Sequence, residues 1–271
     1  MEIIRIKEAQ MGLFNKKFSI EVMPKTAQKV RDFSEILPSK TLVYIAHLED
    51  TDISDMKQTC IRLIGEGMIP MPHIPARILK SSSELEEWVS QYANVGVKRC
   101  LLLAGNNKTP KGSFHSSIQL LETGFFEKYG YEYINVAGHP EGNPDIDKSS
   151  NLTETLTALK IKNEYSKTTS IKLGITTQFC FDLEPVKTWL RILENENINL
   201  PVNIGVAGPT KLQTLIKYAL ICGVGPSISV IKKRAKDIKK LLLPFEPTAI
   251  IKEVNEGSFV ERFKNVSSVH F

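Results

Sequence analysis

The four cysteines of this 271-residue chain, Cys60, Cys100, Cys180 and Cys222, lie far apart and never form a Cys-x-x-Cys pair. That spacing excludes a disulfide framework and a zinc ribbon, and it fits a reducing compartment. No apolar run approaches the roughly 20 residues needed to span a bilayer, so no membrane partner is expected. Met1-Glu2-Ile3-Ile4-Arg5 carries charge inside its first apolar stretch, unlike a secretory signal, and a cytoplasmic protein is expected. There is no long basic block interleaved with aromatics. Nucleic acid is therefore not an expected partner, although the net charge is +5 and the pI about 8.9. The same charge makes an anionic ligand easier to hold than a cationic one. Gly223-Val224-Gly225 lacks the third glycine of a dinucleotide fingerprint, and no phosphate-loop Gly-Lys-Ser/Thr, His-Glu-x-x-His or Gly-x-Ser-x-Gly occurs. No metal site is expected. Internal repeats, low-complexity tracts and flexible linkers are also missing, so residues 1–271 read as one domain.

What is present is a hydrophobic content of 42%, enough for a large core. Short β-branched or apolar runs recur at Phe18–Val22, Thr41–Ala46, Met68–Pro72, Arg99–Ala104, Tyr133–Ala137, Lys172–Thr177, Val202–Val206 and Val266–Phe271. Between them lie stretches of helical period: Ala27–Leu37, Ile53–Glu66, Ser83–Tyr92, Ser117–Tyr129, Leu152–Ser166, Glu184–Asn195 and Pro209–Cys222. Ser83-Glu84-Leu85-Glu86 has the form of a capped helix start. Alternation of this kind argues for a parallel sheet covered by helices, and eight repeats favour a closed (β/α)₈ barrel over an open doubly wound sheet. The last interval is about twice as long as the others. It holds a basic helix at Ser227–Leu243, then Pro244 and Pro247, then another short helix. No helix follows Phe271, so the barrel's eighth helix is expected to be absent or replaced.

In such a barrel, chemistry belongs at the C-terminal ends of the strands. Glu21 alternates with Ile20 and Val22 and so faces the other way, where a carboxylate is costly unless used or paired. A salt-bridged core glutamate is the competing reading. His73 sits among Pro70, Pro72 and Pro75, which fix its backbone. Ala104-Gly105-Asn106-Asn107 are small residues that let a planar or anionic ligand approach the chain, though they also suit an ordinary turn. Val136-Ala137-Gly138-His139-Pro140-Glu141-Gly142-Asn143-Pro144-Asp145 is a polar, proline-stiffened loop. Gln178, in Thr177-Gln178-Phe179-Cys180-Phe181-Asp182, can donate and accept at once, as a pterin edge requires. Gly205-Val206-Ala207-Gly208-Pro209-Thr210 opens a helix whose N-terminus suits a phosphate.

Taken in order, Ser19-Ile20-Glu21-Val22-Met23-Pro24, Pro72-His73-Ile74, the Val136–Asp145 loop and Thr177–Asp182 resemble the methylenetetrahydrofolate reductase family, over about Phe18 to Phe271. The resemblance implies a (β/α)₈ barrel holding FAD, with NADH or NADPH as co-substrate and a tetrahydrofolate derivative as substrate. It implies that Glu21 is the general acid that opens the methylene bridge, and that Gln178 binds folate. Tyr218 falls where the family has an aromatic lining the substrate site. His73 and Lys162 match positions that contact FAD, as do the backbones of Gly105 and Ala137. The chain departs from the family at several of these places. Ala104-Gly105-Asn106 stands for the usual Arg-Gly-Asp, whose aspartate contacts the pterin near the flavin. Asn143 replaces a histidine, His139 a tyrosine, Thr155 an aspartate at the cofactor and Ala46 a hydroxyl residue. Asn106 keeps hydrogen bonding and loses a charge, which implies a higher flavin potential and oxidation of 5-methyltetrahydrofolate.

The expected function is thus interconversion of 5,10-methylenetetrahydrofolate and 5-methyltetrahydrofolate by hydride transfer through FAD. Two alternatives stand beside it: a flavin-independent folate-binding methyl-transfer or demethylation component, and a non-catalytic folate or flavin sensor. The basic residues Lys232, Lys233, Arg234, Lys236, Lys239 and Lys240 read as a solvated helix face more readily than as a polyglutamate site. Homo-oligomers are compatible with the sequence, which fixes no oligomeric state.

Overall fold

The apolar runs become strands because β-branched and aliphatic side chains fit a pleated surface covered on both sides. The computed structural model describes residues 18–147, 152–211, 214 and 244–271. Its strands are β1 (Phe18–Val22), β2 (Leu42–Ile45), β3 (Ile69–Pro75), β4 (Arg99–Leu103), β5 (Tyr133–Gly138), β6 (Lys172–Thr177), β7 (Val202–Gly205), β8 (Thr210–Lys211), β9 (Pro244–Phe245) and β10 (Val266–His270). All but β8 and β9 are hydrogen-bonded in the order β1-β10-β7-β6-β5-β4-β3-β2 and close a barrel. The pairs β1–β2, β2–β3, β3–β4, β4–β5 and β7–β10 run parallel. This is the (β/α)₈ topology read from the sequence, not the open sheet.

The helices are α1 (Pro24–Ala27), α2 (Ile53–Gly65), α3 (Ser82–Asn94), α4 (Ser117–Leu121), α5 (Phe125–Lys128), α6 (Thr153–Tyr165), α7 (Leu183–Asn195), α8 (Thr248–Val254) and α9 (Gly257–Arg262). Met56, Thr59, Cys60 and Leu63 form the buried stripe of α2, and Leu183, Val186, Trp189, Leu190 and Leu193 that of α7. Asp52 caps α2 through Ser54 N, and Asp182 caps α7 through Glu184 N. For α3 the cap is Ser81, which accepts from Glu84 N at 3.1 Å, two residues before the start read from the sequence. Among the described residues no helix is long and apolar enough to cross a membrane.

Three helical stretches differ from the sequence reading. Ala27–Leu37 does not form one helix, because Arg62 of α2 and Glu66 just after it take its backbone groups. Arg62 donates to the carbonyls of Ala27 (2.8 Å), Val30 (2.5 Å) and Arg31 (3.1 Å), and Glu66 accepts from Phe33 N at 2.8 Å. Ser117–Tyr129 divides into α4 and α5 at Gly124, whose φ is 72°. The stretch Pro209–Cys222 begins with strand β8, where Thr210 and Lys211 pair antiparallel with Phe245 and Pro244 of β9. The rest of that stretch (except Thr214), with Tyr218, Cys222 and the basic segment Ser227–Leu243, lies outside the described residues. Before β10 the chain carries α8 and α9.

The chain forms two compact units. One holds Phe18–Ala137 and Ile161–Ile175, and the other holds the described parts of Gly138–Lys160 and Thr176–Phe271.

Candidate functional site

In the first unit the strand register sets the site. Glu21 lies beside Tyr44, Tyr44 beside Met71, His73 beside Leu101, and Leu101 beside Asn135. Laterally paired residues of parallel strands point to the same face, and residues two apart on one strand share it. Glu21, Tyr44, His73 and Asn135 therefore project on the face where Tyr44, Met71 and Leu101 pack together. His73 Nε2 lies 3.3 Å from Glu21 Oε2, an ion-pair distance whose alignment falls short of a hydrogen bond. The His73 side chain is 10% exposed and the Glu21 side chain 42%. Glu21 is thus both paired, as the competing reading required, and open to a ligand. Tyr44 sets its ring edge against His73 at 6.1 Å and 82°, and Asn135 Nδ2 donates to Tyr44 Oη at 2.6 Å. This buried polar chain has Glu21 as its open end.

Just past β2, the imidazole of His47 stacks on Trp88 of α3 at 4.8 Å and 13°. Burial, then the nearby His73, hold His47 down to about 4, so the ring is neutral at neutral pH. Ala46, before it, is buried. After β4, Ala104 and Gly105 are half-buried and Asn106 is exposed, with no hydrogen-bond partner among the described residues. Gly105 adopts φ 88°, and a Cβ there would press on Pro75 Cβ at 3.1 Å, so the loop passes close to the end of β3. The neighbouring Asn107 Nδ2 donates to Glu49 Oε1 at 2.9 Å, and Lys111 reaches the same oxygen at 3.1 Å. Ala137, at the end of β5, is half-buried. Lys162, on α6, is 7% exposed, and burial pushes its ammonium down to about 8. No carboxylate or carbonyl partners it among the described residues.

In the second unit, Gln178 follows β6 directly. Its backbone N–H donates to Gly138 O at 2.9 Å, and its side-chain Oε1 accepts from Phe179 N at 3.1 Å. The carbonyl end is therefore tethered, and the amide Nε2 hydrogens are unengaged among the described residues. His139 is half-buried in the loop after β5. Asn143 is used within that loop: its Oδ1 accepts from Asp145 N at 2.9 Å, and its N–H donates to Asp147 Oδ2 at 3.1 Å. Asp147 also accepts from Glu154 N and Thr155 N, each at 3.0 Å, and from the Thr155 hydroxyl at 2.9 Å. Burial works to raise the Asp147 carboxyl, but these hydrogen bonds outweigh it and hold the group below its ordinary value.

Of the residues singled out in the sequence, Glu21 and His73 come into contact. Ala104, Gly105 and Asn106 follow β4, beside the end of β3. Ala137 closes β5, Lys162 is buried on α6, and His139, Asn143 and Gln178 belong to the second unit. Tyr218 lies outside the described residues. The sequence reading passed over Asp147, His47 and the Tyr44–Asn135 bond. A signal existed only for Asp147, an acid shortly before a helix start.

No protein-family model matches the chain. A solved structure of Yersinia pestis DHPS with a pterine-sulfa conjugate superposes at a TM-score of 0.47 and 13% identity, over 93% of this chain and 86% of that one. The crystal structure of the citrate synthase SbnG superposes at a TM-score of 0.36 and 10% identity, over 84% of this chain and 100% of that one. The functional reading rests on the side chains.

Proposed function

We propose that the chain is a flavin-dependent oxidoreductase that interconverts 5,10-methylenetetrahydrofolate and 5-methyltetrahydrofolate, with FAD as cofactor and NADH or NADPH as co-substrate. The observation that carries the reading is the ligand-accessible Glu21 carboxylate paired with His73, at the position where the family resemblance expects the general acid. Lys162 supports the cofactor. A buried cation with no anionic partner among the described residues fits a diphosphate, which would restore the electrostatic stabilisation that burial removes.

Bound FAD would supply hydride acceptance and donation, while the chain supplies placement and the proton. In the reductive direction Glu21 protonates the folate nitrogen that leaves as the methylene bridge opens; in the reverse direction it takes that proton back. The family resemblance assigns folate binding to Gln178, whose Nε2 hydrogens, unengaged among the described residues, can donate to an acceptor. Asn106, exposed and neutral, offers a hydrogen bond without the negative charge that would oppose build-up of charge on a neighbouring group. This favours oxidation of 5-methyltetrahydrofolate.

One observation favours a second reading, a flavin-independent folate-binding methyl-transfer or demethylation component. The Glu154 and Thr155 amides at the start of α6 are already filled by Asp147, so they offer nothing to a cofactor phosphate. Colour separates the two. Purified protein, supplied with FAD if needed, is expected to show the visible absorption of oxidised flavin and to lose it on anaerobic mixing with 5-methyltetrahydrofolate. A protein that binds 5-methyltetrahydrofolate but takes up no FAD would replace this reading with the second.

A further inference from the structure

We propose that Glu21 and His73 act as one acid, in which the transferable proton rests on the imidazole and reaches the substrate through the carboxyl. The identity of that substrate rests on the function proposed above; the existence of the pair does not.

A glutamate with a 42% exposed side chain is a poor proton donor by itself. With an ordinary value of about 4.3, roughly one carboxyl in 500 is protonated at neutral pH. Imidazole titrates at about 6.5, and a carboxylate at ion-pair distance favours its charged form. In the proposed pair the carboxylate 3.3 Å away offsets the burial of His73, and one proton rests on the imidazole. Burial of His73 shields this proton from bulk water, and the exposed Glu21 is its route out.

Around the pair stand the following described groups. From β2, Tyr44 presents a ring edge, and its hydroxyl is engaged by Asn135. His47, just beyond β2, is neutral and takes no share of the proton; two imidazolium ions at this end would repel. From β4, Leu101 stands beside His73. Beyond β3, the Arg77 guanidinium donates to the His115 carbonyl at 3.1 Å and the Asn107 carbonyl at 3.4 Å. Glu21 is the partner carboxylate.

The transfer balances without any further reactant. When substrate binding draws the pair into a hydrogen bond, the Nε2–H bond of protonated His73 breaks as the proton moves to Glu21 Oε2. The carboxyl so formed releases a proton to the substrate nitrogen, leaving neutral His73, ionised Glu21 and the positive charge on the substrate. Solvent returns a proton to the pair between turnovers. His73 is in this sense a positioning residue acting through Glu21.

The test is nitrogen-15 histidine NMR of the full chain titrated with pH, with the His73 signal identified by its loss in His73→Gln. In Glu21→Gln the His73 midpoint should fall by about one unit. An unmoved midpoint overturns the proposal, and this measurement needs neither flavin nor folate. In turnover of 5,10-methylenetetrahydrofolate, His73→Gln should lower kcat by roughly a hundredfold and move the alkaline fall in rate toward acid pH, with the folate KM changed less than about twofold. A loss of rate with an unmoved pH profile indicates a structural role and also overturns it. If the midpoint shifts but the wild-type protein turns over no folate, the pair stands and the substrate assignment falls.

Discussion

An ammonium group inside a protein costs free energy unless something answers its charge, and Lys162 has no such partner among the described residues. Its fall from 10.5 to about 8 corresponds to a cost of about 3 kcal/mol. Its folded value lies below its unfolded one. The cost is therefore present in full below about pH 8 and fades as pH rises toward 10.5. Lys162→Met should make the ligand-free protein more stable by about 2 kcal/mol near pH 7, with the gain nearly gone near pH 10, as read by urea unfolding at both. A gain of equal size at both pH values would mean that packing, not charge, is responsible. The sequence marked this lysine only through family resemblance, because α6 gives no local sign that one of its polar residues turns inward. Glu21 and His73 were legible locally, from strand alternation and flanking prolines. Their contact was not, because the register joining β1, β2 and β3 is a tertiary fact.

Elements were legible where their own side chains decide them. The eight barrel strands and α2, α3, α6 and α7 fall within a few residues of the ranges read from periodicity; α2, α3 and α7 bury a mostly apolar face that their spacing defines. Ala27–Leu37 has the same spacing and fails as a helix, because Arg62 on α2 and Glu66 just after it compete for its backbone. Three carbonyls on one guanidinium require its planar fork. Arg62→Ala should therefore destabilise the protein by about 2–3 kcal/mol, and Arg62→Lys should recover little of that, since one ammonium cannot reach all three acceptors. Urea midpoints of the two variants check this; near-complete rescue by lysine would show that charge alone holds the segment. The loop from β5 to α6 is tied in a comparable way by Asp147. Its carboxyl lies below its ordinary value, so its contribution is present above the unfolded value and is lost as pH falls through the folded one. Asp147→Asn should remove this dependence and raise the hydrogen-exchange rate of the Glu154 and Thr155 amides. Unchanged exchange would place the helix cap elsewhere.

At the scale of the whole molecule the sequence left one structural choice, between a closed barrel and an open sheet, and the count of eight strands favoured closure. Local pattern cannot settle the matter, since an edge strand and a closing strand carry the same alternation. What distinguishes them is whether both flanks are hydrogen-bonded. β10 stands between β1 and β7 in the closed order. On the β7 side, Val266 lies beside Val202, and Ser268, Val269 and His270 lie beside Asn203, Ile204 and Gly205. Its two serines also fasten Asn203, whose Oδ1 accepts from the Ser267 hydroxyl at 2.8 Å and the Ser268 hydroxyl at 2.6 Å. Removing residues 266–271 would thus expose two strand edges and leave a buried asparagine carbonyl without its donors, a combination that costs several kcal/mol in a domain stabilised by only about 5–15 kcal/mol. The shortened chain should lose its cooperative urea transition and its near-ultraviolet circular dichroism while keeping helical signal. In an open sheet the same deletion would trim one edge and leave a cooperative fold; a sharp transition in the shortened chain would therefore argue against closure as the source of stability.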